Sequence, residues 1–211
     1  MDVRRHQKGA IGIGAMIVSI AMVLVAGIVA YVILSTGSLL QIQSGSTGAQ
    51  TIQEVSSGLK ITTIQGHISS GLIDKIALII TPQAGSPAID LTGVLIELSD
   101  SRLKTIIQYA APFWVDGTPG GVNLFEANAF PSSSSEYGVI VLVDEDGSCM
   151  QNTPIINAGD SVILALNTTA IFSGIAQNVN IEGNIIPEEG AGSIIRFRAP
   201  SAFVYPIVNL Q

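Results

Sequence analysis

Residues 8–34 read KGAIGIGAMIVSIAMVLVAGIVAYVIL, and no charged residue follows Lys8 until Glu54. The apolar residues of this run do not keep to one face. A helix that is apolar all round has to be buried, in lipid or among other helices. Roughly 18 apolar residues in a row suffice to cross a bilayer. Ahead of the run stands a polar head, MDVRRHQKG, with Arg4, Arg5 and Lys8 against Asp2. Such a head stays on the cytoplasmic side, so whatever follows the run lies outside. A simple anchor would end at a charged or aromatic border. Here uncharged sequence continues through STGSLLQIQS to Glu54. A continuous helix over 10–57 would be on the order of 70 Å long, about twice what a bilayer needs. The surplus implies a second place of burial, in which the helix packs against copies of itself. Gly12, Gly14, Ala15, Ser19, Ala21, Ala26, Gly27 and Ala30 are small enough for close backbone approach.

A secretory signal places its small-residue cleavage site after the apolar core. Here the small pair, Gly9-Ala10, precedes it. Cleavage there would remove the basic head and leave the apolar helix on the mature protein. This order resembles the class III signal peptide of type IV pilin-like proteins. Within that group the run is similar to the N-terminus of archaellins, the archaeal flagellins: Lys8-Gly9 before the cut, then Ala10-Ile11-Gly12-Ile13-Gly14. Bacterial-type pilins carry Glu fifth after the cut, whereas this chain has Gly14.

The chain has 211 residues, room for one long helix and one domain. Charged residues make up 12%, the mean hydropathy is +0.52, and the formal net charge is −7. Removing residues 1–9, which carry three basic groups and one acid, would leave about −9. That balance does not suit nucleic acid, which requires clustered basic surface. It does suit a surface that stays soluble at high packing density. The one cysteine, Cys149, allows no intrachain disulfide and reads as a small core residue.

Residues 35–57 keep a sparse apolar stripe of Leu39, Leu40, Ile42, Ile52 and Val55. Gly37, Gly45 and Gly48 each cost about 1 kcal/mol in a helix. The expectation is still a helix, kinked at these positions, with a flexible linker as the alternative. Gly58 reads as its stop.

From Leu59 the texture becomes short β-branched runs between turns: 60–65, 73–82, 94–98, 104–109, 138–143, 161–166, 178–186, 193–198 and 203–208. Regular short strands of this kind predict an antiparallel, immunoglobulin-like β-sandwich. Residues 110–136 read as the longest irregular piece. The expected fold class is α+β. Residues 1–9 are the leader, 10–57 the hydrophobic helix and 58–211 an outer β-sandwich.

The resemblance extends through this region. IDKIALIITP (73–82), AGDSVILALN (158–167) and EGNIIPEEGAGSIIRFRAP (182–200) are similar to archaellin strands and to the family's closing motif. The resemblance implies a structural subunit that polymerises into the archaeal swimming filament. The implied partners are other copies of the chain, other archaellins, a prepilin-type signal peptidase, and the membrane platform and motor proteins. The precursor would sit in the cytoplasmic membrane and the product in an extracellular filament. A subunit of a non-rotating adhesion pilus and a single membrane-anchored binding domain are the alternative readings.

No catalytic constellation emerges. Gly12-x-Gly14 follows no strand, His6 and His67 stand far apart, and no Gly-x-Ser-x-Gly elbow occurs. The acidic turn Asp144-Glu145-Asp146-Gly147 is oxygen-rich. Asp144 and Asp146 are candidate ligands for a divalent cation that would stabilise the filament surface, although the 12-residue loop pattern is absent. Asn167-Thr168-Thr169 is an acceptor sequon, so Asn167 is a candidate glycosylation site.

Overall fold

A computed structural model describes residues 3–117 and 123–211, with side chains from Gly12 onward except that of Glu54. The chain divides into two compact units, Met1–Thr51 and Ile52–Gln211.

A single α-helix, α1, spans Val3–Ser56 without interruption. Gly37, Gly45 and Gly48 leave it unbroken, and it starts at Val3, upstream of the expected residue 10. Hydroxyls along the helix bond back onto it: Ser19 donates to the Ala15 carbonyl and Thr51 to that of Thr47, each at 2.9 Å. These polar side chains are thereby satisfied within the helix itself, which suits an apolar surrounding.

Among the described residues the domain contains eleven strands: β1 (Leu59–Ser69), β2 (Leu72–Pro82), β3 (Ile89–Asp90), β4 (Leu95–Ser99), β5 (Lys104–Asp116), β6 (Glu136–Val143), β7 (Ile155–Ile156), β8 (Ser161–Asn167), β9 (Asn180–Ile186), β10 (Ser193–Arg198) and β11 (Ile207–Asn209). A short helix, α2 (Thr168–Phe172), follows β8. Nine strands form one sheet in the order β10-β9-β4-β5-β6-β8-β2-β1-β11, and β3 and β7 pair separately. The sheet curls back on itself, since Ser193 Oγ donates to the Leu59 carbonyl and Gly58 bridges Ala191. The main core lies inside the curl. Leu59, Ile64, Ile76, Leu78, Ile96, Ile107, Val139, Leu164, Ile181 and Ile195 are all buried there.

Three expectations change. The pairing is antiparallel throughout except for β5 and β6, which run parallel. Residues 110–116, read as loop, continue β5. Pro112 stands within this extension. It falls in the register break between Tyr109 and Trp114, where no ladder N–H is required. At the C-terminus only 207–209 pair, because Pro206 lacks a donor and Val204 and Tyr205 face solvent. The Gly120-Gly121 part of the expected loop lies outside the described residues.

A second, smaller core sits on the outer face. Phe125, Ala129 and Phe130 pack on Ala77, Ile140, Ile163 and Ala165 of β2, β6 and β8. Gly138 makes this possible: a Cβ there would stand 2.0 Å from the Ala129 carbonyl oxygen.

Candidate functional site

The largest chemically unusual surface is α1 itself. Within residues 12–53 the most apolar 18-residue window has a mean hydropathy of 2.9, and no part of that window is buried. Ile17, Val23, Leu24, Ile28, Ile33, Leu34 and Leu40 each expose more than 60% of their surface. Burying one such side chain is worth about 1.5–3 kcal/mol. Among the described residues of α1, twenty large apolar side chains are at least half exposed, from Ile13 to Val55. Their sum is of the order of tens of kcal/mol, well above the 5–15 kcal/mol that stabilises a whole domain. In water this helix requires partners that the chain alone does not supply.

One groove on the helix shows what such a partner would meet. Two i, i+4 rows, Val18-Met22-Ala26-Ala30 and Ala21-Val25-Val29-Ile33, run side by side and mix small with bulky residues. A Cβ added at Gly12, Gly14, Gly27, Gly37, Gly45 or Gly48 would touch nothing within 4 Å. Nothing within the chain therefore requires these glycines, while close approach of another helix would use them.

The expected cleavage pair, Gly9-Ala10, lies in the first turns of α1. Its side-chain surroundings are outside the described residues. Just past the helix, Ser57 and Gly58 are tied into the β-domain by backbone contacts. Ala191 N donates to the Ser57 carbonyl at 2.8 Å, Gln83 N to that of Gly58 at 2.9 Å, and Gly58 N to Ser86 Oγ.

The acidic turn after β6 is drawn into a carboxylate web. Asp144 Oδ1 accepts from Gly147 N (2.9 Å) and Ser148 N (3.2 Å), and its Oδ2 from Cys149 N (3.0 Å). Asp146 accepts from Ser148 N at 3.0 Å and Asn157 Nδ2 at 2.6 Å. Hydrogen bonds from Ser148 and Asn157 hold its carboxyl below the usual carboxylate range. A third acid, Asp160, joins them: one oxygen from each of the three lies within 4.8 Å of the others. Asp160 is buried and also accepts from Asn157 N at 2.8 Å. Reading only the local turn missed it, although it stands in the Gly159-Asp160 pair just before β8. The cluster already serves as a staple of N–H bonds; Asp144 Oδ1 accepts two of them, and each of the three carboxylates still keeps a lone pair on at least one oxygen for a cation.

Asn167 ends β8 and caps α2, its Oδ1 accepting from Ala170 N at 3.2 Å. It is half-buried, Thr169 is exposed, and Thr168 is fully buried with its hydroxyl donating to the Ile73 carbonyl. Capping uses Oδ1, so Nδ2 is left for a glycosidic bond. His67 hydrogen-bonds Asp74 at 2.7 Å and packs against the Phe125 ring, a local tie without a nucleophile.

Residues 9–197 match the family described as archaeal-type flagellin. The chain is 39% identical over 210 residues to flagellin B2 of Methanocaldococcus jannaschii, covering 98% of this chain and 97% of the relative. It is 38% identical to flagellin B4 of Pyrococcus abyssi, covering 98% and 100%. Among solved structures it resembles the crystal structure of archaeal flagellin FlaB1 from M. jannaschii, with TM-score 0.66 and 32% identity over 74% of this chain and 97% of that one. The fold also matches a subunit of the archaeal flagellum of Methanospirillum hungatei, at TM-score 0.61 and 17% identity over 93% and 98%.

Proposed function

We propose, from the premise that this chain belongs to the archaeal-type flagellin family, a mechanism in which one helix is buried twice. The chain is a structural subunit of the archaellum filament and not an enzyme. The observation that carries the mechanism is the exposure of α1: an apolar helix of this length, attached to a domain with its own complete core.

The precursor sits in the membrane with Arg4, Arg5 and Lys8 on the cytoplasmic side. A prepilin-type peptidase cuts between Gly9 and Ala10 and removes that charge. The helix then passes from lipid into a bundle of like helices. Apolar burial hardly changes in this step, so the transfer is nearly neutral in hydrophobic free energy. Small residues on α1 supply the close packing. The β-domains coat the outside, and their acidic surface keeps the polymer soluble. Other archaellins share the filament, and the motor that turns it consists of other proteins on the membrane platform. Asn167 carries a glycan and the Asp144-Asp146-Asp160 cluster takes a divalent cation.

Fluorescent labelling of filaments on living cells tests this reading. Labelled filaments that rotate as the cells swim are expected. Static filaments that tether cells to a surface would assign the chain to an adhesion pilus, and no labelled filament would leave only an anchored domain. Intact mass of the sheared subunit reads two further steps, as loss of residues 1–9 and as excess mass from sugar.

A further inference from the structure

The two halves of the outer sheet face are treated differently. Over β2, β6 and β8 the segment 123–130 lies as a cover. Over β10, β9, β4 and β5 no described segment does so, and four outward positions there are apolar among polar and charged neighbours. Ile194 is 72% exposed, Ile106 60%, Ile186 42% and Leu95 38%. Register brings them together: Ile186 stands opposite Leu95, and Ile194 and Ile106 flank the Asn184–Glu97 pair.

The same face carries most of the domain's cations. Of the six basic residues after α1, four are Arg102, Lys104, Arg196 and Arg198, at the end of these strands away from Ser57. Lys104 pairs with Glu97 at 2.8 Å and Arg196 with Glu182 at 3.3 Å. Among the described residues, Arg102 and Arg198 have no carboxylate within 4 Å. The opposite ends of the strands, where the chain enters at Ser57, are acidic. Asp90, Asp116, Asp144, Glu145, Asp146, Asp160, Glu188 and Glu189 gather there against Lys60. A cleft of about 220 Å³ at that end is lined by Gln53, Ser57, Ile89, Asp90, Glu188 and Glu189.

Glu97, Glu182 and Asp100, the last beside Arg102, lie among these cations, so one chain presents a weakly positive patch and a strongly acidic one. Contacts between unlike patches of identical subunits do not close on themselves unless the rotation allows it, and otherwise build open helical polymers. We propose that the uncovered face of β10-β9-β4-β5 docks on the acidic end of a second copy of this chain. Arg102 and Arg198 of one copy then meet the carboxylates of Asp90, Glu188 and Glu189 of the next, and the exposed isoleucines are covered. This rests on the filament reading above and names the outer contact within it.

The test uses filaments sheared from cells expressing the full chain. Arg102→Glu with Arg198→Glu is expected to remove filaments from the sheared fraction. Adding Glu188→Arg and Glu189→Arg to the same chain is expected to restore them, which a merely misfolded variant would not do. Filaments unaffected by the first pair, or lost and not restored by the second, overturn the contact. Wild-type chain absent from the sheared fraction would instead overturn the filament reading on which the contact depends.

Discussion

Gly190 lies directly against the backbone of Ser57, so close that a Cβ on Gly190 would stand 2.5 Å from the Ser57 carbonyl oxygen. Gly190 also has a φ of +94°. Both facts bear on the segment that opens the β-domain, where Ala191 N holds the same Ser57 oxygen. Gly190→Ala therefore combines left-handed strain with a backbone clash and is expected to cost about 2–4 kcal/mol. Thermal unfolding of the domain from Ile52 onward measures it. Gly71→Ala, at a φ of +79° but in open space, is the control, with a cost of about 1 kcal/mol from strain alone.

Tyr137 is fully buried, and its hydroxyl donates to the carbonyls of Leu91 and Val94 at 2.9 and 3.1 Å. Burial pushes its pKa up, so the donor stays protonated at any physiological pH. Tyr137→Phe keeps the ring packing and removes the only side-chain donor to the Val94 carbonyl among the described residues. A loss of about 1–2 kcal/mol is expected. It should lower the domain's Tm by roughly 3–6 °C.

Cys149 is buried next to Asp144, and burial is the main cause that pushes its thiol up to about 11. A thiol raised in this way stays protonated until the pH approaches that value, and the thiolate is the reactive form. Iodoacetamide at pH 8 is expected to leave the native protein unmodified and to alkylate it in denaturant. Rapid alkylation of the native form, read by mass spectrometry, would contradict the buried position.

Gly9→Leu places a branched side chain at the proposed cut. The chain is expected to accumulate in the membrane at its full mass of 21.9 kDa, with no filaments. Normal filaments from this variant would refute cleavage at Gly9-Ala10.

The three carboxylates around Asn157 give the cation reading its test. If a divalent cation sits there, a chelator lowers the Tm of the filament subunit and Asp160→Asn abolishes that response. The N–H bonds to Asp144 and Asp146 persist in both cases, so the fold survives removal of the ion. A melting curve that ignores the chelator would leave the cluster as a hydrogen-bonded staple alone.

The long helix was legible because its signal is local. Forty-five consecutive residues without charge, 9–53, can only be accommodated in one or two kinds of surroundings. Strands such as 193–198 were legible for a similar reason: β-branched runs end at turn residues, and each judgement needs only neighbours in the chain. What the local pattern did not carry was pairing. The parallel contact of β5 with β6 follows from a connection that crosses over, and Pro112 disguised the second half of β5. Asp160 joins Asp144 and Asp146 only because β6 and β8 are antiparallel neighbours.

By itself, then, the sequence determined that this chain has an apolar helix needing partners, a β-rich domain and a short basic head, since hydropathy and charge act residue by residue. Only the tertiary structure decided which strands adjoin and that Gly190 must yield to Ser57. It also decided that four cations share one face opposite an acidic end. Those relations join residues far apart in the chain, and strand register, to which composition is blind, brings them together.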